Sequence, residues 1–110
     1  MRKTVFWIDD TRNPSWQFSD EEMLEKDVIW IKDYRTFCWY LYHMGIPDEI
    51  YFDHDLGENK SGLDCAKQLV AYCDEYNEPL PKRYSCHSSN PAGHSNIISY
   101  LDSYKKSKEI

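Results

Sequence analysis

Runs of strand-forming apolar residues that end on acidic or polar clusters constrain this chain more than any other feature. Val5-Phe6-Trp7-Ile8 leads into Asp9-Asp10, and Ile50-Tyr51-Phe52 leads into Asp53-His54-Asp55. A third cluster, His87-Ser88-Ser89-Asn90, follows Arg83-Tyr84-Ser85-Cys86. In an open parallel sheet the carboxyl ends of neighbouring strands share one edge, and ligands bind outside it. Three parallel runs of this kind would gather carboxylates, imidazoles and amides into one small site.

The segments between the runs fit such a sheet. Thr4 to Ile8 reads as a first buried strand, and Asp27 to Lys32 as a second, with β-propensity from Val28, Ile29 and Trp30. The stretch from Thr11 to Asp27 reads mostly as loop, with one helical turn from Ser19. Asp33 caps a helix running to about Met44, stopped by Gly45 and Pro47, with Phe37, Tyr40, Leu41 and Met44 facing inward. Glu49 to Phe52 is short and apolar, as a central parallel strand should be. Ser61 caps a helix to about Asn77 that buries Leu63, Ala66, Leu69, Val70 and Cys73. A fourth strand spans Arg83 to His87, and Ser88 to Gly93 is expected to turn. A last helix takes in Ile97, Ile98 and Leu101. The alternation predicts one α/β domain over residues 1–110. It would have three layers: a parallel sheet of about four strands with helices on both faces.

Composition narrows the function. The chain is 41% hydrophobic and 15% aromatic, which predicts a folded globule. Its net charge of −6 opposes extended binding to a nucleic-acid backbone, though contact with one nucleotide or RNA end stays open. Cys38, Cys65, Cys73 and Cys86 form no CxxC pair, so they read as reduced thiols rather than zinc ligands. No apolar run is long enough to span a bilayer, and the start is too short and aromatic for a signal peptide, so a soluble cytoplasmic protein is expected.

Asp53 and Asp55 in one loop, joined by Asp9 and Asp10, put several carboxylates within reach of a common point. Such oxygen ligands suit Mg²⁺ or Mn²⁺, and a bound cation would relieve their mutual repulsion. His54 lies between two of them, facing either the site or the core. His87, at a strand exit, could serve as metal ligand, general acid or base, or phosphate contact. Ser88, Ser89 and Asn90 are ordinary turn formers, but the helix start near Gly93 could present N–H groups to an anion. Arg12 is placed either to pair with Asp9 or Asp10 or to hold a substrate phosphate. Trp7, Trp30, Trp39 and the nine tyrosines read as core and interface aromatics rather than a base-stacking platform.

Asp9-Asp10, Asp53 and the later hydroxyl cluster resemble the receiver domains of bacterial response regulators. The fuller pattern is more similar to a divergent relative, the cyclic-phosphate processing receiver-like domain. It is carried by Asp9-Asp10-x-Arg12-x-Pro14, Phe52-Asp53-His54-Asp55-Leu56-Gly57, Gly62, Asp64-x-Ala66 and His87-Ser88-x-Asn90-Pro91-x-Gly93-x-x-Asn96-Ile97. The resemblance covers nearly the whole chain. It implies a flavodoxin-like fold and a family frequent in phages and bacteria. A phosphorylatable receiver holds its phosphoryl group with a lysine after a fifth strand. No such strand is expected here, and Lys82 lies at the wrong end of the fourth.

The resemblance implies a metal-dependent phosphoesterase-like domain acting on a cyclic or terminal phosphate of a nucleotide or RNA end. Asp9, Asp10, Asp53 and Asp55 would hold Mg²⁺ or Mn²⁺. His87, assisted by His54, would act as acid or base beside Asp53, while Arg12, Ser88, Asn90 and Asn96 position phosphate oxygens. The alternatives are a non-catalytic module binding a nucleotide or protein partner, a receiver phosphorylated on Asp53, and an Asp-x-Asp nuclease-like core.

Overall fold

A computed structural model describes residues 2–108. Four strands, β1 (Lys3–Ile8), β2 (Lys26–Ile31), β3 (Glu49–Phe52) and β4 (Arg83–Cys86), form one parallel sheet in the order β2-β1-β3-β4. The helices are α1 (Asp20–Glu25), α2 (Tyr34–Met44), α3 (Gly62–Tyr76) and α4 (Pro91–Ser107), with a short 3₁₀ turn at Pro14–Trp16. No helix among the described residues is long and apolar enough to cross a membrane.

Alternation along the strands sorts their side chains onto two faces. Phe6, Ile8, Ile31, Ile50, Phe52 and Cys86 face a large core completed by Phe37 and Leu41 of α2, Ala66, Leu69 and Cys73 of α3, and Ile97 and Leu101 of α4. Val5, Trp7 and Tyr51 face the other way, where Phe18 and Met23 from the β1–β2 connection cover them. The three layers are therefore uneven, three long helices against one short one.

Several boundaries differ from the sequence reading for local reasons. The turn expected at Ser19 is the six-residue α1, closed by a reciprocal capping box between Ser19 and Glu22. The last helix begins at Pro91, inside the expected turn: Asn90 caps it, and proline suits a first helical position. Met44, expected inside, is exposed at the C-terminal end of α2, and Leu63 and Val70 are only half-buried. The four cysteines are free thiols, and all but Cys38 are buried.

Candidate functional site

Register builds the site. Ile8 lies opposite Phe52, and Phe52 opposite Cys86, so β1, β3 and β4 end in one rank. The next residues, Asp9, Asp53 and His87, prolong the ladder: the Asp53 N–H donates to the Ile8 carbonyl at 2.8 Å, and the His87 N–H to that of Phe52 at 2.9 Å. Asp9, Asp53 and His87 are also in phase with Trp7, Tyr51 and Ser85, so all three belong to the thinly covered face. Three residues far apart in sequence thus meet because three strands stop together.

One carboxylate oxygen from each of Asp9, Asp10 and Asp53 lies within 4.8 Å of the others. Asp9 is fully buried and heavily engaged. Its Oδ1 accepts the Thr11 N–H at 2.9 Å and the Arg12 N–H at 2.8 Å, which folds the chain back over the strand end. Its Oδ2 meets His87 Nε2 at 2.9 Å. Burial, and then the negative charge of Asp9, raise the Asp53 carboxyl above its usual range, against smaller opposing effects of His87 and Arg12.

His87 lies flat on Trp7, ring centroids 3.9 Å apart, with its side chain only 6% exposed. A carboxylate only accepts, so Nε2 carries the hydrogen shared with Asp9. Nδ1 is buried without a hydrogen-bond partner. Burial holds the imidazole below its usual pKa despite the opposing pull of Asp9, which favours the neutral ring. In this arrangement His87 braces Asp9 and does not face solvent as a free acid or base.

The remaining candidates divide. Arg12 forms no ion pair with Asp9 or Asp10: its Nη1 donates to the His87 carbonyl at 3.0 Å, and its guanidinium lies 5.1 Å from the centre of the Trp16 ring. The expected structural pairing is absent, leaving a cation at the rim of an acidic site. Asp55 is not among the gathered carboxylates: it is exposed, and its Oδ1 meets His54 Nδ1 at 3.0 Å. The His54 ring packs against Gly93 on α4, where an added Cβ would come 2.4 Å from Cγ. The alternation that sends Asp53 toward the site sends His54 toward the helices, and the loop then turns Asp55 outward.

Asn90 uses its side-chain oxygen to cap α4, accepting the Gly93 N–H at 3.1 Å, while its own N–H donates to Ser88 Oγ at 3.1 Å. The His94 N–H donates to the Asn90 carbonyl, and Pro91 has no N–H, so the start of α4 keeps little for an anion. Ser88 is half-buried in that turn, and Asn96 stands exposed on α4. Sequence reasoning missed Trp16, which stands exposed beside Arg12 and His87. Its one signal was a tryptophan in an otherwise polar segment just after Asn13-Pro14, a helix-start pair.

Solved structures share this architecture. A CheY-like response regulator receiver domain from Methylobacillus flagellatus superposes with a TM-score of 0.65 at 19% identity, over 92% of this chain and 81% of that one. NtrX from Brucella abortus gives 0.57 at 13% identity, over 99% of this chain and 29% of its own. A yeast Spc42 coiled-coil segment fused to another structure gives 0.64 at 17% identity, over 90% of this chain and 62% of its own. The chain thus spans under two thirds of two of these three structures. Fold and strand-end acids together define a receiver-like, flavodoxin-like α/β domain. No curated protein matches the chain. The family model described as the cyclic-phosphate processing receiver domain matches residues 4–103, and the chain belongs to that family.

Proposed function

We propose that this domain hydrolyses a cyclic or terminal phosphate ester of a nucleotide or RNA end with the help of a divalent cation. The observation that carries the reading is the meeting of Asp9, Asp10 and Asp53 at flush strand ends, near an Arg12 cation that forms no ion pair among the described residues and whose charge reaches Asp53. Burial first, and then the neighbouring Asp9 charge, disfavour ionised Asp53, and an all-oxygen donor set of this kind fits Mg²⁺ or Mn²⁺. Asp10 and Asp53 would hold the ion with the remaining capacity of Asp9, whereas Asp55 would not. When bound, such an ion polarises phosphoryl oxygens and acidifies water.

The chain's own residues supply the rest. Arg12 pairs with a phosphoryl oxygen. His87 keeps Asp9 in place as a positioning residue, locked between that carboxylate and Trp7. Water adds to phosphorus and one ring P–O bond breaks. The proton lost by the water ends on the released hydroxyl, so a cyclic diester becomes an open monoester. His54 and Asn90 hold the β3 and α4 loops, and Ser88 and Asn96 remain peripheral.

Calorimetric titration of Mg²⁺ and Mn²⁺ into the wild type and Asp53→Asn tests the ion site, and ³¹P NMR of a nucleoside 2′,3′-cyclic phosphate tests turnover. Ion binding lost in the variant, with a new monoester resonance in the wild type, is the expected result. Ligand binding without product would instead mark a receiver-derived binding module. Undiminished ion binding and turnover in Asp53→Asn would refute the mechanism.

A further inference from the structure

The indole of Trp16 is 61% exposed, on a 3₁₀ turn anchored by buried Pro14 and by the Asn13 side chain, which accepts the Ser15 N–H at 2.9 Å. A single exposed apolar ring is ordinary by itself; what sets this one apart is its place against the site. This one lies tilted against the site: its centroid is 6.2 Å from the His87 ring and 6.5 Å from Trp7. The Arg12 guanidinium lies against it, 5.1 Å from the ring centre. One turn therefore presents a largely exposed indole together with a cation whose charge reaches Asp53.

A rigid aromatic surface next to a phosphate-binding cation matches a ligand that carries a planar heterocycle a few bonds from its phosphate. Aromatic side chains stack any base, because every base has a π-face. We propose that Trp16 is a base-stacking platform that makes the site selective for nucleoside phosphates over phosphate esters lacking a ring. This rests on the phosphoester reading above and deepens it by assigning the residue that recognises the base. The other strongly exposed tryptophan, Trp39, is stacked on His43 of α2 and serves as an internal control.

Steady-state hydrolysis of adenosine 2′,3′-cyclic phosphate and of glycerol 1,2-cyclic phosphate, with Mg²⁺ or Mn²⁺, separates the roles. Trp16→Ala and Trp16→Leu should each raise KM for the adenosine substrate about tenfold at unchanged kcat, the scale of one lost base stack. Trp16→Phe should keep most of the affinity, Trp39→Ala all of it, and the glycerol substrate should respond to none of them. Equal losses on both substrates, or no loss on either, would overturn the platform while leaving hydrolysis standing. If the wild type turns over neither substrate, the catalytic reading falls, and tryptophan fluorescence titrated with the adenosine compound decides the platform. Saturable quenching kept in Trp39→Ala and lost in Trp16→Leu supports it; no saturable quenching, or quenching unchanged in Trp16→Leu, overturns it.

Discussion

Gly62→Ala is the most demanding test of how the acidic loop is held. Gly62 opens α3, and its N–H donates to the His54 carbonyl at 2.7 Å. An alanine Cβ there would lie 1.9 Å from the Asp53 carbonyl oxygen and 2.9 Å from its carbon, so the two segments must part by about 1 Å. The atoms in the way are backbone, pinned on the far side by the Asp53 N–H bond to Ile8 at 2.8 Å, and no flexible tip can yield. Overpacking typically costs about 1–3 kcal/mol, and a pinned backbone belongs at the upper end. Helix propensity favours alanine over glycine by up to about 1 kcal/mol, which leaves a net loss of about 2 kcal/mol. For a domain of this size that lowers Tm by roughly 8–16 °C in a thermal melt followed by circular dichroism. Because Asp53 moves with its carbonyl, Mg²⁺ affinity should fall even at temperatures where the variant is fully folded. A variant that melts with the wild type, or above it, would refute the close approach and the argument built on it.

Gly57→Ala places a side chain at φ +68°, with Cβ 3.1 Å from Asp10 Oδ2, and should lower Tm by roughly 5 °C while weakening Mg²⁺ binding. Asp9→Asn keeps the acceptor for the Thr11 and Arg12 N–H groups but removes the charge facing Asp53. The Asp53 carboxyl, followed by ¹³C NMR, should then titrate at lower pH than in the wild type; an unchanged midpoint would mean the two are not coupled. At the opposite end of the sheet, burial disfavours ionised Glu49. The Tyr51 hydroxyl at 2.8 Å and Lys26 Nζ at 3.1 Å outweigh burial and lower its pKa. A carboxyl whose folded pKa lies below its unfolded value of about 4.3 stabilises above that value and loses the contribution as pH falls through the folded pKa. Glu49→Gln should therefore melt below the wild type at pH 7, with the gap closing in acid. A gap that persists when Glu49 is protonated would contradict the assignment.

The sheet and its acidic edge were legible because both follow from local pattern. Short apolar runs separated by helical spacing dictate parallel strands, and a cluster just past each run must reach the same edge. Direction beyond the last strand residue was not legible. Asp53 and Asp55 are equivalent by composition, yet Leu56 is buried and Gly57 takes a left-handed φ, and that turn carries Asp55 outward. Asn90 was read as a turn former and its capping of α4 was missed, because Asn-Pro suits a turn as well as a helix start. The brace between His87 and Trp7 joins residues on β1 and the exit of β4, and no sequence period reports a contact that depends on strand order. Arg12 was one charge beside two opposite ones; only the fold shows that its reach is taken by the His87 carbonyl.

The unequal layers divide the molecule into parts of different mechanical strength. Asp53 and His87 stand on strands backed by α2, α3 and α4, whereas Arg12 and Trp16 ride on the β1–β2 connection, which covers its face with little more than Phe18 and Met23. Segments with few buried contacts open at lower free energy than the core. The site accordingly has a densely packed floor and a more weakly held wall. Amide exchange in residues 13–25 should outrun that of β1 and β3, and a ligand spanning floor and wall would close the difference by tying the connection to the sheet.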